Sequence, residues 1–106
     1  MTVSKNKVLK TTTTHPRTGS SLKIDSNIYG HFKSAIIKSL KGSDGMTFSD
    51  LTNDVTRIIR KELPEFKKSI PWYTISIRLD LETKGIVETF TGKGKKLNRL
   101  SKKFSK

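Results

Sequence analysis

Side chains able to do acid–base chemistry are few in this chain and poorly spaced for it. Asp50 and Asp54 stand one helical turn apart, which suggests a pair of carboxylates sharing acid and base roles. No nucleophile–base constellation recruits them, and such a pair more often combines a helix cap with a solvated face. His15 and His31 have no carboxylate or cysteine at ligand spacing, so neither a metal nor a cofactor is expected. Gly92-Lys-Gly-Lys95 lacks the spacing and the following helix of a nucleotide-binding phosphate loop, and reads as a hairpin turn. The expectation is a protein that binds rather than an enzyme.

What it binds is suggested by charge. The chain of 106 residues carries a formal net charge of +13. Residues 26–91 are close to neutral, with ten basic and eight acidic side chains. Residues 1–25 hold five basic groups against Asp25. Residues 92–106 hold Lys93, Lys95, Lys96, Arg99, Lys102, Lys103 and Lys106 with no acid. Basicity gathered at the ends, where arms and hairpins reach outward, favours a polyanionic partner. The alternative is a lysine-rich surface that only confers solubility. Lysine is a point charge with little geometric discrimination, so affinity for phosphates is expected to exceed sequence specificity.

The elements that position these lysines follow from periodicity. Apolar residues make up 32% of the chain, thin for a globular protein, so one domain of about 70–80 packed residues is expected. Residues 1–21 are polar, interrupted by Pro16 and Gly19, and read as a flexible basic arm. Leu22 to Ile24 suggest a short strand. Asp25 or Ser26 can cap a first helix, with Ile28, Phe32, Ala35, Ile36 and Leu40 on one face. Gly42-Ser-Asp-Gly45 ends it. Thr47-Phe-Ser-Asp50 has the form of a capping box, and Phe48, Leu51, Val55, Ile58, Ile59 and Leu63 make a second helical stripe that Pro64 stops.

The next segment sends two signals. Ile75-Ser-Ile-Arg-Leu-Asp-Leu-Glu82 alternates as a half-buried strand does. Yet Pro71 to Lys84 is long for a strand, Ser69-Ile-Pro71 suits a helix start, and Gly85 suits a helix stop. As a helix, it turns Ile70, Tyr73, Ile77 and Leu81 to one face. Trp72, Ile75, Ser76, Leu79, Asp80 and Thr83 turn outward. After Gly85 a strand over Ile86 to Thr91, positive-φ positions at Gly92 and Gly94, and a return over Lys96 to Leu100 make a hairpin. Residues 101–106 form a basic tail.

Helix, turn-helix, third helix and basic hairpin occur in the order of the winged helix-turn-helix superfamily. Leu81-Glu-Thr-Lys-Gly-Ile-Val-Glu88 resembles the junction between recognition helix and wing in many bacterial transcription regulators. The stretch from Trp72-Tyr-Thr to Glu88 resembles small uncharacterised bacterial proteins of that superfamily. The resemblance spans roughly residues 26–100 and implies an α+β winged-helix fold, three helices plus a C-terminal β-hairpin wing, in a domain over residues 22–100. It also decides for helix over strand at 70–84.

The expected function is DNA binding of low sequence specificity by Lys93, Lys95, Lys96, Arg99, Lys102 and Lys103, with Ser76 and Arg78 from the third helix. A small transcription regulator or nucleoid-associated protein fits that expectation. A DNA-reading helix usually turns Arg, Lys, Gln or Asn toward base edges. The outward face of this one is apolar and carries Asp80, so contact through the wing and tail is expected instead. Two alternatives stand beside it. One is a protein-interaction winged helix, or a homodimer, using Trp72, Ile75 and Leu79. The other is association with RNA or the ribosome. The absence of cysteine and of any run of about 20 apolar residues leads to the expectation of a cytoplasmic protein without membrane contact.

Overall fold

A computed structural model describes residues 10–14 and 21–102. Strand β1 (Lys10–Thr14) and strand β2 (Ser21–Asp25) pair antiparallel, with Thr12 opposite Lys23. Three helices follow: α1 (Ser26–Lys41), α2 (Phe48–Glu62) and α3 (Ile70–Thr83). A second antiparallel hairpin, β3 (Val87–Gly92) and β4 (Lys95–Leu100), closes the order. The architecture is α+β, with three helices and a C-terminal antiparallel hairpin, as the residue pattern leads one to expect.

Each helix begins where a side chain can satisfy its free amides. The Asp25 carboxylate accepts from the amides of Asn27 and Ile28, at 2.8 and 3.2 Å. Thr47 Oγ1 accepts from the Asp50 amide at 3.1 Å, and Ser69 Oγ from the Trp72 amide at 3.2 Å. Pro71 sits in the first turn of α3, where its missing N–H costs no helical bond. At the other end Gly85 adopts φ +76°, and the Ile86 amide reaches back to the Leu81 carbonyl at 2.9 Å. These caps settle the segment that alternates like a strand: it is helical.

The core joins Phe32, Ile36 and Leu40 of α1, Leu51, Val55 and Ile59 of α2, Ile77 and Leu81 of α3, and Val87 and Leu100 of the C-terminal hairpin. Losing one of these large side chains to alanine costs about 2–5 kcal/mol. Phe32 also meets the rings of Phe66 and Tyr73 at 5.5 and 5.4 Å, and Phe66 meets Tyr73 as well, which ties the α2–α3 loop to α1 and α3.

The expected domain limits are corrected at both ends. Within the arm assigned to residues 1–21, Lys10–Thr14 are a paired strand that lies against α3 and α1, with Thr13 buried. Threonine is β-branched and suits a strand, so its polarity was the misleading signal. The remaining arm positions, 1–9 and 15–20, lie outside the described residues. At the other end Ser101 belongs to the domain rather than to a tail. Its Oγ donates to the Gly85 carbonyl at 2.6 Å, and its amide to Ile86 at 2.9 Å. Among the described residues no helix is long and apolar enough to cross a membrane.

Candidate nucleic-acid interface

The C-terminal hairpin turns on two residues, Lys93 at φ +54° and Gly94 at φ +75°. Positive φ at both loop positions is what a tight type I′ connection requires. Gly92 was expected to supply one of them, and that is corrected: the left-handed residue is Lys93. Gly92 is small for a different reason. A Cβ there would stand 3.0 Å from Leu97 Cδ1 and 3.3 Å from Phe90 Cε2.

The pairing register sorts the hairpin's side chains onto two faces, because opposite residues point the same way. Val87 with Leu100, Thr89 with Asn98, and Thr91 with Lys96 share one face. Val87 and Leu100 are buried there in the core, and Asn98 meets α3. Glu88 with Arg99, Phe90 with Leu97, and Gly92 with Lys95 share the other. That second face lies under the α1–α2 loop. Gly45 packs on it so closely that a Cβ would come within 2.8 Å of Phe90 Cζ. Asp44 and Asp50 line the same groove as Lys93 and Lys95. Thus Lys96 faces with α3, while Lys95 faces the side that holds two carboxylates.

Lys93, Lys95, Lys96 and Lys102 are exposed, and among the described residues none of them is ion-paired. Lys103 lies outside the described residues. Arg99 is held. Its Nε donates to Glu88 Oε2 at 2.6 Å, and its guanidinium stacks 4.3 Å from the Phe90 ring centre. Its partial exposure leaves it at the edge of the basic surface rather than at its centre.

On α3 the expected contacts divide. Ser76 is half-buried. Arg78 is 3% exposed, which removes it from the candidate interface. Its Nε donates to Asn98 Oδ1 at 2.6 Å and its terminal nitrogen pairs with Glu82 at 3.0 Å. Asn98 in turn donates through Nδ2 to the Met46 carbonyl at 3.0 Å and exchanges backbone hydrogen bonds with Met46. A chain of bonds therefore runs from α3 through β4 to the α1–α2 loop.

Asp80, expected to face outward, is fully buried. Tyr29 Oη of α1 donates to it in a short hydrogen bond, and Lys84 Nζ lies 2.7 Å away. Lys84 also reaches Tyr29 Oη at 3.1 Å. Burial and the bond to Asp80 push the Tyr29 phenol above its ordinary range. Burial pulls the Lys84 ammonium down, but its bonds to Asp80 and Tyr29 outweigh that and leave it raised. With Asp80 inside, the outward face of α3 carries no aspartate. Trp72 is exposed, while Ile75 and Leu79 are half-buried.

The remaining titratable candidates are engaged structurally. Asp54 pairs with Arg57 at 2.8 Å, and His31 with Glu62 at 2.9 Å. Among the described residues no group of three or more His, Cys, Asp or Glu could hold a metal ion. His15 lies outside them.

The intrahelical ion pair of each network was within reach of the residue spacing, while its burial was not. Arg78 with Glu82, and Asp80 with Lys84, are opposite charges at i and i+4 of one helix. The close approach of Gly45 to Phe90 had no local signal.

A protein-family profile described as "Family of unknown function (DUF6958)" matches residues 10–97. No curated protein and no solved structure matches the chain.

Proposed function

The chain belongs to this family of unknown function, and from the geometry and charge of its C-terminal hairpin we propose that it is a winged-helix nucleic-acid-binding protein. Lysines of the wing, the β3–β4 hairpin, and of the segment after it hold the phosphate backbone of duplex DNA. Recognition is mainly electrostatic and of low sequence specificity. A small regulator or nucleoid-associated protein is the class that fits.

One observation carries this reading. The tip residue at φ +54° is Lys93, where glycine or asparagine would be cheaper. A lysine at a strained, exposed tip, next to Lys95 and Lys96, which have no ion pair among the described residues, suggests that charge outweighs local stability there. The bridge between Met46 and Asn98 adds support, because it ties β4 to the α1–α2 loop.

The test is a titration of the full chain with a random-sequence duplex at about 50 mM salt, followed by amide chemical shifts. Shifts gathered on residues 91–97 and around Lys102 support the proposal. No binding, or shifts confined to α3, sinks it. Competition by duplex RNA in the same titration distinguishes a DNA partner from an RNA one.

A further inference from the structure

The wing leaves one exposed feature of α3 unused. Among the described residues, Trp72 is the exposed large apolar side chain, at 45%. The wide patch expected of Trp72, Ile75 and Leu79 contracts to a single indole, because the two aliphatic groups are half-buried. One indole is far below the roughly 800 Å² per partner that a stable protein interface buries.

The indole is braced from behind. Its ring meets Tyr73 edge to face, with centres 5.0 Å apart and planes at 74°. Tyr73 packs against Phe66 at 5.2 Å and against the fully buried Phe32. The contact with Tyr73 restricts the indole and so lowers the side-chain freedom lost when a flat ligand lands on it. Lys67 and Lys68, just ahead of α3, are exposed, and among the described residues neither is ion-paired. The first turn of α3 has no acidic residue, and Glu65 is the nearest carboxylate in the chain.

We propose that Trp72, which Lys67 and Lys68 precede by five and four residues in the chain, is a stacking platform for an unpaired nucleic-acid base. The inference rests on the nucleic-acid reading above and narrows its ligand to a duplex that carries a single-stranded segment. An exposed π-face with two exposed lysines shortly before it in the chain suits a base and its phosphates, and stacking is indifferent to which base arrives. Bases inside an intact duplex are stacked on each other and cannot use it. Trp72 lies on the first turn of α3 and the wing departs from its last. The axial rise from Trp72 to Lys84 is about 18 Å, so the platform and the wing can engage different parts of one junction.

Trp72 is the chain's single tryptophan, so its emission reports the site directly. The full chain is titrated with a blunt duplex, with the same duplex bearing a thymine overhang, and with the same duplex bearing a uridine RNA overhang. Each overhang is expected to quench the emission and to tighten binding about tenfold, whereas the blunt duplex binds with little quenching. Trp72→Ala is expected to lose the overhang gain and keep the blunt-duplex affinity. Trp72→Phe keeps part of the gain. Replacing Lys67 and Lys68 with alanine reduces it.

Equal affinity for blunt and overhang forms, with unchanged emission, overturns the stacking site and leaves the wing proposal standing. Retention of the full gain by Trp72→Ala overturns it as well. A change in emission that follows protein concentration alone assigns the indole to self-association and overturns it too. Failure of every form to bind sinks the parent reading along with it.

Discussion

Arg78 Nε donates to Asn98 Oδ1 at 2.6 Å, and that bond joins α3 to β4 of the C-terminal hairpin. The same asparagine holds Met46, so one arginine supports the angle between helix, hairpin and α1–α2 loop. Arg78→Met is expected to destabilise the fold by about 2–3 kcal/mol, since it strips a buried amide oxygen of a charged donor. Urea midpoints measure that. Binding to duplex weakens only through the loosened wing, so the salt dependence keeps its slope. A flatter slope in this variant would instead make Arg78 a phosphate contact.

The Tyr29–Asp80–Lys84 cluster predicts an alkaline transition. Folding raises both Tyr29 and Lys84 above their ordinary values of 10.0 and 10.5. A group whose folded value is raised adds stability that is complete below its unfolded value. That stability fades as pH climbs through the folded value. The urea midpoint is therefore expected to hold steady up to about pH 9.5 and fall beyond it. Asp80→Ala, which removes the partner common to both groups, lowers stability at neutral pH and makes the alkaline fall shallower. A parent midpoint that stays level through pH 11 contradicts this account.

Lys93→Asn separates stability from binding. Asparagine tolerates φ +54° better than lysine, so the hairpin is expected to gain about 0.5–1 kcal/mol. Duplex affinity falls at the same time, because a tip charge is gone. Calorimetric melting and an equilibrium binding curve on one preparation check both signs. A variant that gains stability and keeps its full affinity removes the main support for a functional tip.

The two faces of the wing predict unequal lysines. Lys96 shares a face with Thr91 and the α3-facing Asn98, whereas Lys95 lies toward Asp44 and Asp50. Lys96→Ala is expected to flatten the salt slope by about 0.9, one phosphate's share. Lys95→Ala flattens it by less. The reverse order places the nucleic acid on the α2 side of the wing.

Much of this architecture was legible in the residues. The stripe from Phe48 to Leu63, the cap at Thr47 and the stop at Gly85 locate α2 and the end of α3 from local chemistry alone. The helical state of α3 was harder, because Ile75 to Glu82 alternates as strands do. The caps at Ser69 and Gly85 outweigh that pattern. What local reading missed depends on tertiary partners. Arg78 and Asp80 are of types that usually face water, and only the incoming Asn98 and Tyr29 make their burial tolerable. Lys10–Thr14 read as a polar arm because its strand partner, Ser21–Asp25, follows only after Pro16 and Gly19 in the sequence.

The most direct test of the central claim is the salt dependence of duplex binding by the parent chain and by Lys93→Ala/Lys95→Ala/Lys96→Ala. With about five phosphates neutralised by the wing and the lysines after it, log K is expected to fall against log salt with a slope of roughly −4 to −5. The triple variant is expected to bind more weakly on unrelated sequences alike, with a slope flatter by about 2–3. A triple variant that matches the parent in affinity and slope contradicts the account, and so does a parent chain that binds no duplex at about 50 mM salt.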